Sequence, residues 1–204
     1  MSEEQETREY HSKIYTKTGD KGTSSLYNGE RRTKNDAFFH ALGTIDELGA
    51  VLGVALEHCI LDKTDPLIEM LEKLVALMLD VGACVATPLD NSKETHLKKT
   101  RFSDNYVKVL EKWIDSMDSQ LPPLKHFIIP IRVGLASAHL HQARAICRRA
   151  EREMVSLSIH ELIPTEVSVF MNRLSDFLFV AARFAAKNHG ADEGYWTGCG
   201  KTGL

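Results

Sequence analysis

The feature that most constrains the fold is a change of rhythm at residue 35. From there almost to the end of the 204-residue chain, apolar side chains recur at steps of three and four, the period of an amphipathic helix. Phe38, Leu42, Ile45, Leu48, Leu52 and Ala55 set the first face, in a helix predicted from Asn35 or Asp36 (both N-cap residue types) towards Glu57. Leu67, Leu71, Leu74, Leu77, Met78 and Val81 set the second, from Asp65-Pro66, where proline suits the first turn, to Val85. A third starts at Ser103-Asp104 and turns Tyr106, Val107, Leu110, Trp113, Ile114 and Met117 inward. The fourth covers Leu135 to Val155, and the fifth runs from Pro164 to Asn188. Residues 86–102 are polar and read as a loop; Pro122, Pro123 and Pro130 break the chain before the fourth helix. With no strand alternation after residue 34 and no long internal repeat, the expected fold is all-α: a five-helix antiparallel bundle behind a short irregular N-terminal segment. Residues 1–12 read as a flexible tail, 13–190 as a single domain and 191–204 as an irregular tail.

Composition narrows the classes. Hydrophobic residues make up 43% of the chain and the formal charge is −3, which supports a globular core and argues against disorder. That balance also argues against a nucleic-acid partner, which calls for a basic surface. No run approaches the ~18 consecutive apolar residues of a membrane span. Cys59, Cys84, Cys147 and Cys199 are far apart with no C-x-x-C pair, so they are expected as reduced, packed thiols rather than disulfide or zinc ligands. His139 and His141, two apart on a helix, point about 200° apart and cannot chelate one ion; no protein-held metal is expected. The acidic N-terminus, Met-Ser-Glu-Glu-Gln-Glu, is neither a secretory signal nor an Arg-rich transit peptide. An intracellular soluble protein is expected: cytoplasmic, or in the mitochondrial matrix if a presequence is missing from this chain.

Three segments carry chemistry. Residues 13–34, which include Thr16, Lys17, Thr18, Gly19, Ser24, Ser25 and Lys34, hold six basic residues against two acidic ones, a net of +4. Glycines, hydroxyls and ammonium groups together suit a polyphosphate, although the spacing is not that of a Walker loop. The other reading is a solvated hairpin with scattered lysines. On the fourth helix, Arg144, Arg148 and Arg152 are spaced by four and line one ridge, with Arg149 and Glu151 beside it. Only Glu151 and Glu153 offset four arginines there, so the ridge fits an anionic ligand or an acid from elsewhere in the fold. On the fifth helix, Asn172 and Asp176 share a face among Val169, Phe170, Leu174 and Phe177, and are expected to be partly buried and paired. The first helix has a similar polar interruption, Thr44-Ile45-Asp46-Glu47, whose acids read equally as ordinary surface.

Taken in order, K-I-Y-T-K-T-G-D-K-G, G-E-R-R-x-K, G-T-I-D-E-L, A-R-A-I-C-R-R-A-E-R and N-R-L-S-D-F-L-F-x-x-A-R resemble the PduO-type ATP:cob(I)alamin adenosyltransferases over residues 13–188. Each motif alone is weak; five in one order with compatible spacing are specific. The resemblance implies a five-helix bundle assembled as a homotrimer, with active sites between subunits. Its substrates would be ATP with Mg²⁺ and cobalamin, with a reductase and an adenosylcobalamin-dependent enzyme as further partners. Cob(I)alamin, itself the nucleophile, would attack the 5′-carbon of ATP to give adenosylcobalamin and triphosphate.

Carried over by motif, Thr16, Lys17, Thr18 and Gly19 correspond to phosphate-contacting positions, with Ser24 and Ser25 close by and Lys34 reaching the polyphosphate. Arg148, Arg149, Glu151 and Arg152 correspond to positions that bind phosphates and ribose, and Asn172 to one that contacts the nucleotide. Asp46 and Arg144 match a salt bridge across the subunit interface. Phe127 resembles the aromatic that crowds the lower corrin face, excludes the lower axial ligand and favours four-coordinate cob(II)alamin, which raises its reduction potential. One stretch departs from the family pattern. After Phe127-Ile128-Ile129-Pro130 the usual Gly-Gly is replaced by Ile131-Arg132-Val133-Gly134, with one extra residue. That departure leaves open a second reading, a catalytically weak ATP- or corrinoid-binding module for cofactor delivery; a third is a structural helical bundle with ordinary charged faces.

Overall fold

The structure, a computed structural model, describes residues 13–196 and Gly198. Five long helices carry it: α1 (Ala37–Leu61), α2 (Leu67–Val85), α4 (Asn105–Asp118), α5 (Leu135–Ile159) and α6 (Thr165–Asn188). The all-α bundle expected from periodicity is therefore present, with boundaries mostly within a few residues. Asp36 caps α1 as its residue type predicts, accepting the N–H of Phe38 at 2.9 Å.

Three details differ. Residues 86–102 are not all loop, because Glu94–Lys99 forms a short helix, α3. It buries no side chain and leans on a Glu94–Lys98 pair at 3.3 Å, so no apolar period announces it. The N-terminal segment is not wholly irregular either. Strands β1 (Thr23–Ser25) and β2 (Arg31–Thr33) pair antiparallel, with Thr23 opposite Thr33. Finally, the tail beyond Gly190 is ordered where described: β4 (Gly194–Tyr195) pairs with β3 (Ile128–Ile129) in the loop before α5. These strands run only two or three residues, too short for alternation to be read from the sequence.

Side-chain contacts give the directions. Glu47 meets Arg149 and His58 stacks on His139, so α1 and α5 are antiparallel. Cys147 bonds the carbonyl of Met171 while Arg144 lies over Phe179, so α5 and α6 are antiparallel as well. Tyr106 packs on Phe170 and Trp113 on Phe177, so the neighbours α4 and α6 run parallel. The long connection 119–134 makes this possible by letting α5 pass to the far side of α6.

Phe38, Leu48, Leu52, Leu71, Leu74, Leu140, Phe170 and Phe177 are all but inaccessible and fill the centre. Each such side chain contributes about 1.5–3 kcal/mol, and truncating Leu48 to Ala would cost about 2–5 kcal/mol. By length and composition α1 could cross a membrane, but its stripe from Phe38 to Cys59 is buried against α2 and α5, which makes it a core helix. Cys59, Cys84 and Cys147 are free and buried, and burial pushes their thiols up to about 11, 12 and 12. They are inert packing groups; Cys199 lies outside the described residues.

Candidate functional site

The N-terminal segment builds a clasp from its own side chains. Arg31 donates to the carbonyl of Thr18 at 2.7 Å, to Thr23 Oγ1 at 2.5 Å and to Ser25 Oγ at 3.3 Å, pulling residues 16–19 onto the hairpin. Arg32 is held by Glu30 and Asp36 and lies over the Phe38 ring, which ties the hairpin to the start of α1. Tyr27 N–H bonds the carbonyl of Ala86, and Asn91 joins Asn28 to Glu30, which ties the hairpin to the end of α2. Hydrogen bonds from Arg32 and Asn91 hold the Glu30 carboxyl below its ordinary range.

Both arginines of G-E-R-R are thus occupied by structure, which leaves the lysines as the segment's cations. Lys34 Nζ passes 3.1 Å from the position a Cβ on Gly19 would take. Gly19 is there for Lys34 to cross, rather than for an unusual backbone angle. Thr16 and Thr18 share a hydroxyl contact at 3.0 Å, while Lys17 and Gly22 take positive φ of 59° and 75° to turn the loop. The hydroxyls of Thr16 and Thr18 and the cation of Lys17 share one exposed loop that the Lys34 side chain, from just past β2, crosses at Gly19, with Ser24 and Ser25 in the adjoining strand.

On α5 the four arginines do different things. Arg148 and Arg152 are exposed, with no ion pair among the described residues. Arg149 is bound by Glu47 of α1, and Asn172 of α6 donates to Glu151 at 2.8 Å. Glu47 is thus a site neighbour that sequence reasoning left among ordinary surface acids; its position opposite an unbalanced arginine helix is the only signal, and it needs the fold to be read. Asn172 and Asp176 are paired as expected, Asp176 with Arg173 at 2.8 Å, but both are exposed rather than partly buried. They flank the packing stripe of α6 instead of lying in it.

Arg144 stands apart from the other three. With Phe179, 5.3 Å from its guanidinium, it lines a pocket of about 490 Å³ together with Leu124, Lys125, His126, Phe127 and Ile128. Phe127 is 79% exposed and packs edge-on against Trp196 at 6.2 Å, so it is not a core plug. Burial, then the charge of Arg144, lowers the pKa of nearby His141, keeping it neutral. Asp46 lies elsewhere, on a shallow groove between α1 and α2 with Gly49, Met78, Leu79 and Gly82. Within the chain Asp46 and Arg144 do not meet. His139 and His141 also diverge, towards His58 and Phe179.

The described chain thus presents a hydroxyl- and lysine-bearing loop, an arginine ridge, and an apolar pocket under an exposed phenylalanine. Against known families, the model for the cobalamin adenosyltransferases matches residues 14–185. The chain belongs to the cobalamin adenosyltransferase family. It is 49% identical to the corrinoid adenosyltransferase MMAB of Mus musculus over 181 residues, 89% of this chain and 76% of that protein. It is 38% identical to the corrinoid adenosyltransferase of Citrobacter freundii over 171 residues, 84% of this chain and 93% of that one. A solved variant of the PduO-type ATP:corrinoid adenosyltransferase from Lactobacillus reuteri, complexed with cobalamin and ATP, superposes with a TM-score of 0.80. That pair is 34% identical, and the superposition covers 91% of this chain and all of that one.

Proposed function

We propose that this chain, an ATP:corrinoid adenosyltransferase by family, transfers the 5′-deoxyadenosyl group of ATP to cob(I)alamin. Cobalt(I) attacks the 5′-carbon with its electron pair, a cobalt–carbon bond forms, the C5′–O bond breaks, and triphosphate leaves with the bonding pair. The chain needs no nucleophile of its own. Its work is to hold the 5′-carbon in line with cobalt and to neutralise charge growing on the leaving triphosphate. The observation that carries this reading is the pairing of an unneutralised arginine ridge, Arg148 and Arg152, with an apolar pocket on the same helix at Arg144.

In this reading ATP enters as its Mg²⁺ complex. Lys17 and Lys34 with the hydroxyls of Thr16, Thr18, Ser24 and Ser25 hold the polyphosphate, and Gly19 lets Lys34 reach it. Arg148 and Arg152 complete the charge, while Arg149 is oriented by Glu47. Glu151, oriented by Asn172, faces the ribose, and Phe127 occupies the space below the corrin. Asp46 and Arg144 lie on different cavities of one chain, and the family resemblance implies that they pair between copies in a homotrimer whose sites lie between subunits. A one-electron reductase would supply cob(I)alamin, and an adenosylcobalamin-dependent enzyme would take the product; the compartment proposed is cytoplasm or mitochondrial matrix. The test is an anaerobic assay with chemically reduced cob(I)alamin and MgATP. One triphosphate per adenosylcobalamin formed is expected; ATP binding without cobalt–carbon bond formation would turn the reading towards a delivery module.

A further inference from the structure

Arg183 is the one charged side chain buried in the described core, at 3% exposure. A guanidinium there is costly unless its donors are met, and here they are met from two distant places. Nε donates to Glu193 Oε1 at 2.7 Å and one terminal nitrogen to Glu193 Oε2 at 3.3 Å, a two-pronged grip. The same terminal nitrogen donates to the carbonyl of Pro122 at 2.8 Å, and Asp118 stands 3.7 Å from the other. Pro122 opens the loop that carries Phe127, and Glu193 opens the tail strand that pairs with it. Tyr195 returns its hydroxyl to Glu193 at 3.3 Å. Trp196 N–H bonds the carbonyl of Phe127 at 2.9 Å, and its ring meets the Phe127 ring edge-on.

The unusual stretch after Pro130 belongs to this arrangement. A Cβ on Gly194 would come within 2.7 Å of Ile131 Cγ1 and 3.0 Å of the carbonyl of Ile129. Ile131, the first residue of the departure from the family pattern, therefore packs where the tail crosses. Arg132 and Gly134 take positive φ of 57° and 81° to turn the chain back into α5.

We propose that Arg183 and Glu193 form a positioning pair that seats β4 against β3, and that this seating holds Phe127 where the lower corrin face is to lie. Neither residue lines the pocket; both act through the backbone of residues 127–129. The proposal rests on the reading of Phe127 as the residue beneath the corrin.

The experiment uses the full chain with ATP and cob(II)alamin, reading the four-coordinate cobalt signal by electron paramagnetic resonance, the KM for ATP, and adenosylation rates from cob(II)alamin and from pre-reduced cob(I)alamin. Glu193→Ala breaks the grip; Gly194→Val leaves the ion pair and blocks strand docking alone. Both are expected to lose most of the four-coordinate signal and about ten- to a hundredfold of the cob(II)alamin-dependent rate. The KM for ATP and the rate from cob(I)alamin should stay near wild type. An unchanged signal in folded Glu193→Ala or Gly194→Val overturns the proposal. So does a joint fall in melting temperature and ATP affinity in both variants, which would make the pair a general brace. Phe127→Ala, run in parallel, separates the layers. If it loses the signal while the other two keep it, the positioning pair fails and the Phe127 reading stands. If Phe127→Ala keeps the signal, that reading fails and the positioning proposal falls with it.

Discussion

The N-terminal clasp and the Phe127 loop are both short stretches beside the same bundle, yet they are held by contacts of different kinds. The clasp is held by polar side chains both near and far: Arg31 reaches back 13 residues to Thr18 and Arg32 two residues to Glu30, while Asn91 bridges Asn28 and Glu30 from more than 60 residues away. The Phe127 loop is held from far away, by Arg183 bonding Pro122 across 61 residues and by a tail strand from the end of the chain. The clasp is polar and exposed, stabilised by many individually small bonds. The loop is apolar and depends on one buried charge. In the proposed reading such a division would let each substrate side vary without disturbing the other, and mutations can test it.

The largest effect is expected where the comparison leaves the single chain. If Asp46 meets Arg144 of another copy in a buried interface, Asp46→Asn removes one partner, at a cost of about 3–5 kcal/mol. Sedimentation should show a weakened trimer and turnover should fall with it; a wild-type protein that is monomeric and fully active would refute the interface. Next comes Arg152→Ala, which in the proposed reading would remove a charge-assisted phosphate contact worth about 1.5–3 kcal/mol, or roughly 10–100-fold in ATP KM or rate. The fold should survive, since Arg152 is exposed and unpaired among the described residues. Arg149→Ala should show a similar loss, and Glu47→Gln a smaller one, because Glu47 only orients the guanidinium.

Asn91→Ala is expected to be milder. It removes the bridge between Asn28 and Glu30, worth about 0.5–1.5 kcal/mol, and loosens the clasp. Hydrogen exchange should quicken at residues 23–33 and stay unchanged at 127–129. The smallest effect concerns pH. His141 has its pKa lowered from 6.5 by burial and by Arg144, so the folded chain keeps it neutral while the unfolded chain protonates it. Its effect on stability is absent above 6.5 and destabilising as pH falls below that value, levelling off beneath the folded pKa. Thermal melts of His141→Gln should therefore be flatter than wild type in that window.

What the sequence made legible follows the same division. Long helices announce themselves by period, and Asp36 by its residue type, because the causes lie within one turn. The clasp was legible as a cluster of charge and hydroxyls, although the roles of Arg31 and Arg32 within it were not; both spend their charge on structure. Arg183 was legible only as the last residue of the fifth motif and Glu193 only as an acid in a glycine-rich tail; neither carried a sign of its role. Their significance appears only when α6 brings one beside the other. The expectation of partial burial for Asn172 and Asp176 failed for a related reason. Helical position told which face they share, but the placement of α5 decided that this face stays open and pairs Asn172 with Glu151. Strands β3 and β4, two residues each, are set wholly by tertiary contacts.

The claim that the two sides are held independently is tested most directly by a double-mutant cycle of Arg152→Ala and Phe127→Ala, assayed anaerobically from cob(I)alamin and from cob(II)alamin. Distant groups without shared partners should add within about 0.3–0.5 kcal/mol. The ATP KM is expected to move with Arg152 alone, the ratio of the cob(I)alamin to the cob(II)alamin rate with Phe127 alone, and the double variant to show the product of the two single effects. A double variant no worse than the poorer single one, or an ATP KM that moves with Phe127, would contradict it.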